Sequence, residues 1–258
     1  MIDGSRRTFL SGCAAALLGA AALPGRALAQ PAMPVPQVPH RHHHVRVDAG
    51  SPEHARVALT FDDGPHPRLT PRLLDILRAR RVRATFYLIG NRVRAYPLLA
   101  RRIVEEGHEI GNHTWEHPVL SRQGADRVLR EVDRCARVVY ETVGHVPVTM
   151  RPPYGMITAR QAEMVFAERN MPTVMWSVDP EDWRGPGAAA VTRRILRAAR
   201  PGAIILSHEI HAGTIAAMPA TIDGLLAQGL RLVPISTMLG WEPWGPRPSP
   251  LRLAAAGT

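Results

Sequence analysis

Short apolar, β-branched runs alternate seven times with longer helical patterns between residues 56 and 235, and no other feature limits the fold so tightly. The strand candidates are 56–61, 84–89, 109–112, 148–151, 173–178, 203–207 and 232–235. The helical candidates between them include 71–80, 97–106, 125–143, 158–169, 191–199 and 219–228. Gly107, Gly144, Gly202 and Gly229 follow helical patterns, and Pro71, Pro97 and Pro219 are placed to begin them. Strand–helix alternation of this kind implies an α/β fold with a parallel sheet, either closed into a barrel or open and doubly wound. No Gly-x-Gly-x-x-Gly follows a strand candidate, so a dinucleotide site has no support.

At 258 residues and 45% apolar content the chain can bury a substantial core. Its net charge of +10 comes from arginine alone, since the sequence has no lysine. The arginines are spread along the chain and accompany no nucleic-acid motif, so nucleic acid is not an expected partner.

The N-terminus reads Ser5-Arg6-Arg7-Thr8-Phe9-Leu10, then an apolar stretch over 14–23, then Ala27-Leu28-Ala29. A charged start, a short apolar region and a small-x-small site make a secretory signal, and the arginine pair matches the twin-arginine export pattern. The apolar stretch is too short to span a bilayer. Residues 1–29 are therefore expected to be removed, leaving no membrane span in a periplasmic or secreted protein. Residues 30–54 open with a proline at nearly every other position and continue into His40, His42, His43 and His44, and are expected to be a linker. A catalytic domain is expected over 55–240, followed by a Pro- and Trp-rich tail over 241–258. With Cys13 removed, Cys135 is the one remaining thiol, so no internal disulfide can form.

The chemistry-bearing residues fall where strand candidates end. Asp62-Asp63, His113, Arg151, Asp179 and His208 all lie at or just past such ends, the face of a β/α barrel on which catalytic groups converge. Two adjacent carboxylates repel; one use for them is to bind a cation with one and keep the other as a base. His113-Thr114-Trp115-Glu116-His117 places two imidazoles four residues apart, so a helical turn would put both on one face. With Asp63 they make the two-histidine, one-carboxylate set expected of a catalytic divalent ion. Arg151, ahead of Pro152-Pro153-Tyr154, is placed to orient Asp62, and the Tyr154 amide is a candidate oxyanion donor. Asp179-Pro180-Glu181-Asp182-Trp183 carries carboxylates and an aromatic wall on one loop, and Leu206-Ser207-His208 ends a strand on an imidazole.

This ordered set resembles the polysaccharide deacetylases of carbohydrate esterase family 4, the NodB-homology enzymes, over roughly residues 56–239. The resemblance implies a distorted (β/α)7 barrel. It also implies Asp62 as base, Asp63, His113 and His117 as metal ligands, and Arg151 as the group orienting Asp62. Tyr154 would give its amide to the oxyanion, and Asp182 would tune His208 as general acid. Trp183 and Leu206 would line the acetyl pocket. The implied reaction is metal-dependent removal of N-acetyl groups from N-acetylglucosamine units of peptidoglycan, chitin or a related exported glycan. Zn2+ fits the ligands, and Co2+, Ni2+ or Mn2+ suit the same donors. Other readings are an O-acetyl esterase of xylan type using the same site, and a glycan-binding protein without catalysis. His113 to His117 also fits the inverted zinc-peptidase signature with Glu116 as base. The sequence leaves the oligomeric state open.

Overall fold

The computed structural model describes residues 45–244. The expected signal segment, most of the expected linker with its histidine run, and the last 14 residues of the tail lie outside them.

In chain order the elements are β1 (Arg46–Val47), β2 (Arg56–Asp62), α1 (Leu69–Ala79), β3 (Thr85–Leu88), α2 (Gly90–Ala95), α3 (Pro97–Glu105) and β4 (Glu109–Asn112). There follow α4 (Ala125–Val143), α5 (Ala159–Arg169), β5 (Thr173–Val174), α6 (Ala188–Ala198), β6 (Ile204–Ile205), α7 (Ala212–Ala227), β7 (Arg231–Leu232) and α8 (Ile235–Leu239). All strand pairs are parallel. The sheet runs β4-β3-β2-β6, and β7 pairs with the start of β2. Single bridges at Asn112–Met150, Met150–Thr173 and Val178–Ile205 carry the pairing from β4 through β5 back to β6, which closes a distorted barrel.

The two-residue period of β2 divides its side chains between two environments. Val57, Leu59 and Phe61 pack with Leu73, Leu74 and Leu77 of α1 in the outer core between sheet and helices. Ala58 packs inside the barrel with Tyr87, Val174 and Ile204. Thr60 and Asp62 continue the Ala58 face, which is why a carboxylate at the end of β2 points into the barrel mouth. Burial on both faces explains the near-continuous apolar run of this strand.

Several expectations need correction. The strand expected over 148–151 reduces to the bridge at Met150, because Pro147, Pro152 and Pro153 offer no amide to extend a ladder. Pro219 does not begin a helix: α7 starts at Ala212 and contains it. An interior proline costs about 3 kcal/mol, here outweighed by burial of Ile215, Met218, Ile222 and Leu225 where α7 packs on α6 and α1. Pro71 likewise follows the start of α1, whereas Pro97 does open α3. Ile235, expected in the last strand, begins α8. The segment expected to be linker up to residue 54 contains β1, which pairs with β5. Part of the expected tail is also packed: Trp244 stacks on His145 at 5.0 Å.

Candidate metal centre and catalytic cavity

β2 ends at Asp62, and Asp63 takes a left-handed φ of 73°. That single rotation sends the two neighbouring carboxylates in different directions. Asp62 meets Arg151: its Oδ1 accepts from Nη1 at 2.8 Å. The guanidinium is fully buried, and each of its three nitrogens donates. It donates to Thr60 Oγ1 at 2.7 Å, to the Val174 carbonyl at 3.1 Å and to the Met175 carbonyl at 2.9 Å, and it lies 4.2 Å from the Tyr87 ring centre. A buried charge is tolerated when it is paired and hydrogen-bonded, and these four bonds fix the orientation of Asp62.

Asp63 meets the histidines. Its Oδ1 lies 3.1 Å from His117 Nε2 and 3.4 Å from His113 Nε2, yet this buried oxygen accepts no well-aligned hydrogen bond. His113 Nδ1 sits 2.8 Å from the Arg151 carbonyl, an acceptor that requires the proton on Nδ1 and turns Nε2 toward Asp63. Burial opposes the Asp63 charge, but His113 and His117 hold its carboxyl far below the usual carboxylate range. One oxygen and two imidazole nitrogens within 4.8 Å of one another form a cation-ligand set, and an orphaned buried carboxylate oxygen between two imidazoles is chemistry that a divalent ion completes. The residues present therefore fit a metal.

The two histidines are not on a helix, contrary to the expectation from their spacing. Residues 113–119 form an irregular loop in which Thr114 and His117 have φ of 66° and 61°. Pro118 disfavours helical geometry at His117, and side chains take over the amides: Asn112 Oδ1 accepts from Thr114, and Thr114 Oγ1 from His117. The rings still converge, 4.9 Å apart and edge to face. Glu116 points outward and pairs with Arg127 at 2.6 Å, away from the ligand set. The inverted zinc-peptidase geometry is thus not formed.

His208 follows β6 on the neighbouring strand, in parallel register with Asp62. Its amide donates to Asp182 Oδ2 and its Nδ1 lies against Asp182 Oδ1, both at 2.7 Å. Thr214 Oγ1 donates to the same carboxylate at 2.7 Å. Burial opposes charge on the His208 ring, but Asp182, helped by Asp62 and Asp63, pushes its pKa up to about 9. Burial alone would raise Asp182; the contacts from His208 and Thr214 hold it below the usual range.

A cavity of about 410 Å3 joins these groups, a size that suits a sugar-sized ligand. Asp62, Asp63, His113, His117, Tyr154, Trp183, Leu206 and His208 line it. Arg151 and Asp182 stand one layer behind, each bonded to a lining residue. Tyr154 occupies the turn after Pro152-Pro153 with φ of 59°, and its half-exposed ring packs against His117 at 4.6 Å. The Gly155 and Met156 amides close this turn onto the Pro152 and Pro153 carbonyls. Trp183 is half exposed at the rim and Leu206 is buried. Asp179, expected at a strand end on this face, also lines the cavity, as do Trp176 and His211, to which sequence reasoning gave no role. For His211 the spacing of three from His208 was the available signal; the Thr214 contact had none. Glu209, also without an expected role, lies under the Asp63 turn. It contacts Thr70, burial pushes its pKa up to about 8, and a Cβ on Gly64 would collide with it.

Fold and site together define an α/β-barrel protein with a three-ligand cation site beside a carboxylate and a carboxylate-paired imidazole. The polysaccharide deacetylase family model matches residues 49–171. A chitooligosaccharide deacetylase of Bradyrhizobium sp. is 46% identical over 154 residues, covering 59% of this chain and 70% of that protein. A peptidoglycan-N-acetylglucosamine deacetylase of Listeria monocytogenes is 39% identical over 185 residues, which is 72% of this chain but only 39% of that protein's length. Among solved structures, the peptidoglycan N-acetylglucosamine deacetylase Bc1960, bound to a naphthyl-substituted N-hydroxybenzamide, superposes with a TM-score of 0.75 at 34% identity, covering 78% of this chain and 95% of that one. The chain belongs to the polysaccharide deacetylase family.

Proposed function

We propose that this protein hydrolyses the acetamide of N-acetylglucosamine units in a polysaccharide, with peptidoglycan or chitin-type chains as the substrate class. The observation that carries the reading is the placement of Asp62, fixed by Arg151, in the same cavity as the cation ligands and His208. Asp63, His113 and His117 would hold the divalent cation, Zn2+ by donor type, with Co2+, Ni2+ and Mn2+ as alternatives. When bound, such an ion supplies Lewis-acid chemistry, lowering the pKa of a water and polarising the acetyl carbonyl.

The side chains divide the remaining work. Asp62 Oδ2 takes the proton of the attacking water, while the Arg151 bond to Oδ1 keeps the carboxylate aimed. The Tyr154 amide donates to the oxyanion as the carbonyl carbon becomes tetrahedral. His208, kept protonated by Asp182, gives its proton to the departing amine nitrogen, so the C–N bond breaks into acetate and a free amine. Leu206 and Trp183 supply the apolar wall for the acetyl methyl. The N-terminal pattern supports export by the twin-arginine route, and the cell-wall substrates named for the relatives suit that destination. Among the described residues no helix is long and apolar enough to cross a membrane.

The test is acetate release from chitooligosaccharides and peptidoglycan by residues 30–258 loaded with Zn2+ or Co2+, with and without chelator. Chelator-sensitive acetate matched by new free amines is the expected result. Metal uptake without acetate from either substrate would reject N-deacetylation.

A further inference from the structure

The irregular loop between the two histidine ligands is shaped from outside the cavity. With Thr114 and His117 in left-handed conformations, the amides between them have no ladder to join and need acceptors elsewhere. Glu131 of α4 provides one. Its Oε2 accepts from the Trp115 amide at 3.0 Å and from the Glu116 amide at 2.8 Å. Its Oε1 lies 2.9 Å from Arg127 Nη2, which also reaches Glu116 Oε2 at 2.6 Å. The Glu131 side chain is only 1% exposed. Burying a carboxylate is costly, and here its bonds go to two of the three residues between the ligands and to the arginine that pairs with one of them.

Neighbouring contacts make α4 the floor of this loop. The Val132 carbonyl accepts from Asn112 Nδ2 at 2.9 Å. The Trp115 ring contacts the Arg94 and Arg134 guanidinium groups at 4.7 and 4.3 Å. The two ligands depend on this floor unequally. His113 is fixed independently, by its amide on the Leu88 carbonyl at 3.1 Å and its Nδ1 against the Arg151 carbonyl. His117 closes the loop, and its amide is held by Thr114 Oγ1.

The geometry points to Glu131 as a positioning residue for the cation site: it sets where His117 stands relative to His113 and Asp63. This rests on the metal reading above. Removing its carboxylate orphans two amides beneath the loop, and relaxation to satisfy them moves His117 while His113 stays.

Co2+ titration followed by visible absorption, with affinity from competition and folding checked by far-ultraviolet circular dichroism, tests this on wild type, Glu131→Ala and Glu131→Gln. Glu131→Ala is expected to lose about 10–100-fold in affinity, the range for groups that orient metal ligands, and to change the Co2+ spectrum. Glu131→Gln keeps the volume and one oxygen for both amides, and is expected to restore most of the affinity and the spectrum. If Glu131→Ala does not fold, Glu131→Asp, one methylene shorter, takes its place with the same expectation. A folded Ala or Asp variant with wild-type affinity and spectrum overturns the inference, as does a Gln variant no better than Ala. Failure of the wild type itself to take up Co2+ removes the metal reading and this inference with it.

Discussion

Asp62 and Asp63 are adjacent in the chain and opposite in surroundings, because the rotation at Asp63 hands one carboxylate to a buried guanidinium and the other to two imidazoles. Their substitutions should therefore behave differently. Asp62→Asn leaves the three ligands intact, so metal stoichiometry should match wild type while turnover falls on the order of 10²–10⁴-fold, as for loss of a general base. Near-normal turnover would remove Asp62 from that role. His208 sets a second expectation. Its folded pKa of about 9 exceeds its ordinary 6.5, so the charged ring stabilises the fold fully below about 6.5, and that contribution is lost as pH rises through about 9. The same titration removes the proton destined for the leaving amine, so kcat/KM should decline on the alkaline side. Asp182→Asn, which takes away the charge facing His208, should move that decline to lower pH. A limb that stays in place assigns it to another group.

At the scale of elements, the support for Arg151 lies in a cross-strand pair. Tyr87 of β3 stands in register with Gly111 of β4. A Cβ on Gly111 would lie 2.3 Å from Tyr87 Cε1, and the same ring faces the Arg151 guanidinium. Gly111→Ala should therefore cost about 1–3 kcal/mol through overpacking, read as a lower Tm, with reduced turnover as the ring pushes on Arg151. An unchanged Tm would show that the ring can move aside. Which elements were legible in the sequence follows from what carries each signal. β2, β4 and α4 were legible because apolar period and glycine stops are local. The 113–117 loop was misread as a helical turn because what opposes it is Pro118 locally and Glu131 from a helix further along. Pro219 was misread for the converse reason, since burial of α7 tolerates a residue that an isolated helix would reject.

Over the whole molecule, the site draws on the ends of β2, β4 and β6 and on the loops after Met150 and Val178, brought together by barrel closure. A ligand bound by such dispersed groups stabilises the fold it requires. Excess Zn2+ at a hundred times its Kd should add about 2.7 kcal/mol and raise Tm, and chelation should reverse it. His113→Ala should lose the response together with activity; a retained response would place the metal elsewhere.

The sequence alone determined the alternation of strand and helix, the carboxylate, imidazole and arginine residues at strand ends, and the family whose motif order they follow. These are local or ordinal properties, and a linear chain records them directly. Tertiary structure decided which carboxylate oxygen meets which partner, how Asp182 and Thr214 converge on His208, and how Glu131 shapes the histidine loop. Those relations join residues far apart in the chain, and they exist only once the barrel has closed and fixed the backbone angles that aim each side chain.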